Sequence, residues 1–138
     1  MVISKHNIIS LFFTYNNEYF DGVLPMPNLK IKHSYRTLGY FYCDVNDDGS
    51  ISNPCIEISD NYDYTDYQIR NILVHEMIHY YLVYMGIDIK CHHGSEFKKM
   101  ANDYNKRYGM NITSTIDLSS YTIKKGNSQL MFTLSTLF

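Results

Sequence analysis

The chain has 138 residues, 45% of them hydrophobic and 19% charged, a make-up that excludes a disordered segment and a disulfide miniprotein. Twelve Lys and Arg against fourteen Asp and Glu leave a net charge of −2, which disfavours a strongly basic nucleic-acid binder. No apolar run reaches the roughly 20 residues that cross a bilayer, so no membrane partner is expected.

The first predicted element is an amphipathic helix over about 4–20, where Ile8, Leu11, Phe12, Tyr15 and Tyr19 recur at helical intervals. Its apolar stretch runs into Tyr15-Asn16-Asn17-Glu18 rather than a small-residue cleavage site, so it reads as a helix and not an export signal, and the expected location is cytoplasmic. Asp21-Gly22, Pro25 and Pro27 stop it. Leu29-Lys30-Ile31-Lys32 alternates as a half-buried strand, the aromatic-rich stretch 38–43 reads as a second, and Cys55-Ile56-Glu57-Ile58 as a short third.

Asn46-Asp47-Asp48-Gly49 has the chemistry of a turn between the second and third strands. From Asp44 onward the stretch begins like a calcium loop, but Cys55 stands at the twelfth position, where a bidentate Glu is required, so a hairpin is the reading. Cys43 and Cys55 flank this turn. With Cys91 the cysteine count is odd and no Cys-x-x-Cys occurs, so a disulfide framework and a zinc ribbon are both disfavoured and the thiols fit a reducing compartment.

Then the period changes. Thr65 with Gln68 makes a capping box, Ile69, Ile72, Leu73 and Met77 follow at helical spacing, and Gly86 is the stop. Ser95 is expected to cap the next helix, with Phe97, Met100, Ala101 and Tyr104 on one face, Lys106-Arg107 at its C-terminus and Gly109 after it. Residues 110–138, rich in Thr, Ser, Ile, Leu and Phe, predict one or two strands. The expected fold class is α+β: a helix, a small mostly antiparallel sheet, two helices and an extended tail. One domain over 1–138 is expected, its core at about 4–108.

The chemistry gathers in the second helix. His75-Glu76-Met77-Ile78-His79 puts two imidazoles four residues apart, on one helical face and within reach of one Zn²⁺. Glu76, rotated by about 100° from His75, flanks such a metal and can take a proton from water. A catalytic zinc wants a third protein ligand and an open position. The metzincin pattern fails, because Leu82 and Met85 stand where it needs Gly and His. The third ligand is drawn from His92, His93 and Glu96, with His93 favoured by spacing and ligand type.

Asp88 and Asp103 are candidate acceptors behind the ligands. A Tyr is a plausible donor to an oxyanion, but Tyr80, Tyr81 and Tyr84 read as packing residues. A peptide is expected to add beside the strand near Ile56–Ile58 if that strand is an edge. Lys98, Lys99, Lys106, Arg107 and Lys124-Lys125 read as a solvated basic face, and Tyr40-Phe41-Tyr42 as sheet core rather than a base-stacking platform.

These blocks together resemble the SprT-like (SprT/Spartan) metallopeptidase family. The matching stretches are Asn17-Glu18-Tyr19-Phe20-Asp21-Gly22 with Leu24-Pro25, Leu38-Gly39-Tyr40-Phe41, Ile56-Glu57-Ile58-Ser59, Leu73-Val74-His75-Glu76-Met77-Ile78-His79 and His93-Gly94-Ser95-Glu96-Phe97, within about 10–108. The resemblance implies one zinc per chain on His75, His79 and His93, Glu76 as general base, and a minimal zincin-like fold. It implies a zinc metalloendopeptidase acting on protein substrates, with DNA-associated proteins as one class. The cysteine ribbon that often follows the protease core in this family is missing here. The alternative is a non-catalytic zinc module that binds DNA or protein.

Overall fold

The computed structural model describes residues 1–90 and 92–124, together with the backbone of 134–136. Helix α1 spans Lys5–Tyr19 and starts at a capping box of Ser4 and Asn7. Asn7 N–H donates to Ser4 Oγ at 3.3 Å and Ser4 N–H to Asn7 Oδ1 at 2.7 Å. Ile8, Phe12 and Tyr15 form its buried stripe. The chain reverses after it through Asp21 and Gly22, both at positive φ. Asn16 holds that reversal: its Nδ2 donates to the Leu24 carbonyl at 2.8 Å and its Oδ1 accepts from Leu24 N–H at 3.2 Å.

Strands β1 (Asn28–Lys32), β2 (Gly39–Val45) and β3 (Ile51–Ser59) form a sheet of order β1-β3-β2. β2 and β3 are an antiparallel hairpin, closed by Asn46 N–H to the Ser50 carbonyl at 2.8 Å, with Gly49 at φ 86°. The second arm of the hairpin takes the central position and so lies parallel to β1. The core sheet is therefore mixed, where mostly antiparallel pairing was expected. β3 is also longer than the four residues expected. Its central place corrects the docking expectation: with β1 and β2 on its two sides, β3 near Ile56–Ile58 is no edge, and among the described residues the outer strands of this sheet are β1 and β2.

β4 (Tyr62–Asp63) leads into α2 (Asp66–Tyr84), which opens on the Thr65–Gln68 capping box. It closes in a Schellman motif, with Gly86 N–H bonded to the Val83 carbonyl and Ile87 N–H to the Leu82 carbonyl, Gly86 being left-handed at φ 70°. From Asn71 to Tyr80 every residue of α2 is buried, and the helix packs against β2 and β3 and against α3. α3 (Ser95–Tyr108) is amphipathic instead, burying Phe97, Ala101 and Tyr104. Gly94, not Ser95, is its N-cap, and no side chain caps it, because the turn out of His93 ends one residue earlier than the sequence suggests. Gly109 ends it in the left-handed region.

The segment that follows contributes β5 (Thr115–Asp117), a 3₁₀ turn at Leu118–Ser120 and β6 (Thr122–Ile123), which pairs with β4; β5 pairs with β7 (Leu134–Thr136). Asn105 repeats the Asn16 device here, with Ile112 N–H to its Oδ1 at 2.8 Å and its Nδ2 to the Ile112 carbonyl at 3.2 Å. The fold is α+β among the described residues. No helix there is long and apolar enough to cross a membrane.

Candidate metal centre

The middle of α2 carries His75, Glu76 and His79 into the core, where they are 0%, 0% and 1% exposed. The loop from α2 to α3 brings His93 over them, so the imidazoles of His75, His79 and His93 stand with ring centroids 4.9–5.0 Å apart. One nitrogen from each lies within 4.8 Å of the others. His75 Nε2 and His93 Nε2 are 3.0 Å apart, near the roughly 3.3 Å that two imidazoles on a tetrahedral zinc require. His79 Nε2 is buried without a hydrogen-bond partner. An orphaned imidazole nitrogen converging with two others is the donor set a zinc ion takes.

Phe97 lies under all three rings, with centroids 4.6–4.8 Å away and stacked on His79. It fixes their planes and keeps water off that side. The sequence placed Phe97 on the buried face of α3 but gave it no part in the site. Its place three residues after Gly94, on a helix that must turn back over α2, is the signal that was there to read.

Glu76 is the second oddity. Among the described residues neither carboxylate oxygen has a hydrogen-bond partner, and Oε2 lies 3.9 Å from His75 Nε2. Burial raises its pKa well above the ordinary carboxylate range. Burial, and then the neighbouring His93, push His79 down to about 3, so its ring is neutral and ready to ligate. The carboxylate fits because β2 begins with glycine. A Cβ on Gly39 would lie 2.9 Å from Glu76 Oε2 and 3.1 Å from Ile72 Cγ2. A glycine inside a strand pattern marks such a close approach, and this was the legible sign.

The other candidates stand apart from the cluster. Glu96 is half-exposed and pairs with Lys99 at 3.6 Å. His92 folds back over Gly94 with Nδ1 3.3 Å from Asp88. Asp88 is close enough to influence His79 electrostatically, whereas Asp103 is bound to Arg107 at 3.0 Å on the surface. Tyr80 donates to the Pro25 carbonyl and stacks on Phe41, and Tyr81 packs on Phe20. Tyr84 is exposed against Tyr80. In the basic set, Lys99, Arg107 and Lys124 are ion-paired with Glu96, Asp103 and Asp60. Cys43 and Cys55 are free thiols; Cys91 and Lys125 lie outside the described residues.

Comparison with known protein families matches the SprT-like family over residues 8–127. The chain belongs to that family. No curated protein shows a significant match to it.

Proposed function

We propose that this chain is a zinc-dependent endopeptidase with a minimal zincin-like core, holding one zinc on His75, His79 and His93 and using Glu76 as its proton carrier. The observation that carries this reading is Glu76: a fully buried carboxylate without a hydrogen-bond partner among the described residues, beside three converging imidazoles. Such burial costs several kcal/mol unless something else compensates it, about the penalty for an uncompensated buried charge. A purely structural zinc needs no such group and closes its shell with a fourth ligand. Among the described residues no fourth His, Cys, Asp or Glu joins the cluster.

Zinc bound there supplies a Lewis acid for the scissile carbonyl and lowers the pKa of water at the site toward about 7. The chain's own groups do the rest. Burial lifts the Glu76 pKa and a cation in the site lowers it again, which brings the carboxylate into the range where it both takes and gives a proton. Glu76 accepts the proton of the attacking water and returns it to the departing amine. Phe97 and the apolar wall of α2 hold the rings in place and exclude bulk water. His93, alone of the three partly exposed, marks the side open to solvent. Among the described residues β2 is an outer strand of the sheet and begins at Gly39, in contact with Glu76, so an extended peptide paired along β2 would pass the carboxylate.

The test is cleavage of an unfolded protein substrate. Hydrolysis that stops when a chelator strips the protein and returns with one equivalent of zinc supports the reading. Hydrolysis indifferent to the chelator, or none with zinc restored, contradicts it.

A further inference from the structure

A cavity of about 400 Å³ lies between the first half of α2 and the segment after α3, lined by Gln68, Asn71, Ile72, Asn111, Asp117 and Tyr121 among others. It adjoins the candidate centre through Ile72, whose Cγ2 meets the same Gly39 position that Glu76 Oε2 does. Asn71 precedes His75 by one helical turn, about 6 Å along the axis. Alternate side chains of an extended peptide lie about 7 Å apart. A peptide passing Glu76 along β2 can therefore drop a side chain into this cavity within two residues of the bond it presents.

Two polar groups define what the cavity accepts. Asn71 is only 8% exposed; its Oδ1 accepts from Asn111 N–H at 3.0 Å, and its NH₂ makes no hydrogen bond among the described residues. An amide donor that solvent reaches through a cavity, with no acceptor from the described residues, is one a ligand carbonyl can answer. Asp117, bonded through Oδ1 to Ser119 N–H at 2.9 Å, is the only charged side chain in the described lining. It offers an acceptor and repels anions.

We propose that this cavity is a substrate subsite selective for a primary amide side chain, Gln or Asn. The inference rests on the peptidase reading above and names the substrate feature that the site selects. The substrate carbonyl oxygen accepts from Asn71 Nδ2, and its NH₂ donates to the Asp117 carboxylate. Glu answers Asn71 but meets Asp117 with like charge. Lys answers Asp117 and leaves the Asn71 donor unmet. Leu leaves both polar groups stripped of water and unpaired.

Blocked hexapeptides, identical except for Gln, Lys, Glu or Leu placed at each position in turn, test this on Glu76→Gln protein, where binding is read without cleavage. In one register the Gln peptide should bind about fivefold tighter than the Leu peptide, the worth of one good hydrogen bond. It should also shift the Asn71 side-chain amide resonances. Asn71→Asp keeps an acceptor for Asn111 and should transfer the preference to Lys; Asp117→Asn, at the exposed rim, should remove the discrimination against Glu. No register with an amide preference, or one unchanged in both variants, overturns the assignment. Wild type that cleaves with zinc but shows no amide preference overturns it and leaves the peptidase reading standing. Amide-selective binding without zinc-dependent cleavage keeps the cavity's selectivity and sinks the peptidase reading.

Discussion

Two kinds of buried or half-buried polar group occur in this protein, and they are treated in opposite ways. Asn16 and Asn105 each give one hydrogen bond and take one, clasping the backbone of Leu24 and Ile112. They tie a loop to a helix and leave nothing open. Glu76 and His79 are buried more deeply, yet the carboxylate oxygens and His79 Nε2 have no hydrogen-bond partner among the described residues. Fully satisfied polar groups hold structure; unsatisfied ones, grouped, wait for an occupant. The contrast predicts opposite results when the two kinds are removed.

The largest effect is expected in the second kind. Glu76→Gln should retain zinc and lose peptide hydrolysis by about 10²–10⁴-fold, the usual worth of a positioned general base. Zinc content and cleavage rate on one preparation check it, and cleavage at the wild-type rate would remove Glu76 from its role. In the first kind, Asn16→Ala orphans the Leu24 N–H and carbonyl together and should destabilise the fold by about 2–4 kcal/mol in denaturant unfolding. A loss under about 0.5 kcal/mol, typical of a surface site, would erase the distinction.

Gly39→Ala joins the two regions. The added methyl would lie 2.9 Å from Glu76 Oε2 and 3.1 Å from Ile72 Cγ2, so one of these buried side chains must shift, at a cost of about 1–3 kcal/mol. Activity should fall with stability, because the carboxylate shifts. Normal activity in a stable variant would show that Glu76 does not depend on the contact.

The smallest effect concerns pH in metal-free protein. The folded chain holds a proton on Glu76 that the unfolded chain releases above its ordinary value of 4.5, so this group's contribution falls as pH rises. Glu76→Gln removes that loss, and the metal-free variant should be more stable than metal-free wild type at pH 7. The gap should close near pH 4.5. His79 acts in the other direction. Its folded pKa is about 3 against 6.5, so below 6.5 the unfolded chain takes up a proton that the folded chain refuses, and both proteins lose stability as pH falls toward 3. Thermal melts across pH, after chelation, read both trends.

What the sequence made legible was local. The Thr65–Gln68 box, the stops at Gly86 and Gly109, and the four-residue spacing of His75 and His79 are all set within one or two turns of chain. What it hid depends on pairing across the fold. The central place of β3 follows from which arm of the hairpin lies beside β1, and no residue in β3 declares that. Gly39 beneath Glu76 and Phe97 beneath the imidazoles are contacts between elements far apart in sequence. The N-cap of α3 slipped by one residue because Gly94, without a side chain to signal a cap, ends the turn.

The central claim is that His75, His79 and His93 together hold a metal. The most direct test is the zinc content of purified wild type beside His93→Ala, by native mass spectrometry. The account predicts about one zinc per chain in wild type and its loss, or a fall in affinity of at least about tenfold, in the variant. Zinc held equally well by both, or no zinc in wild type even after reconstitution, would contradict it.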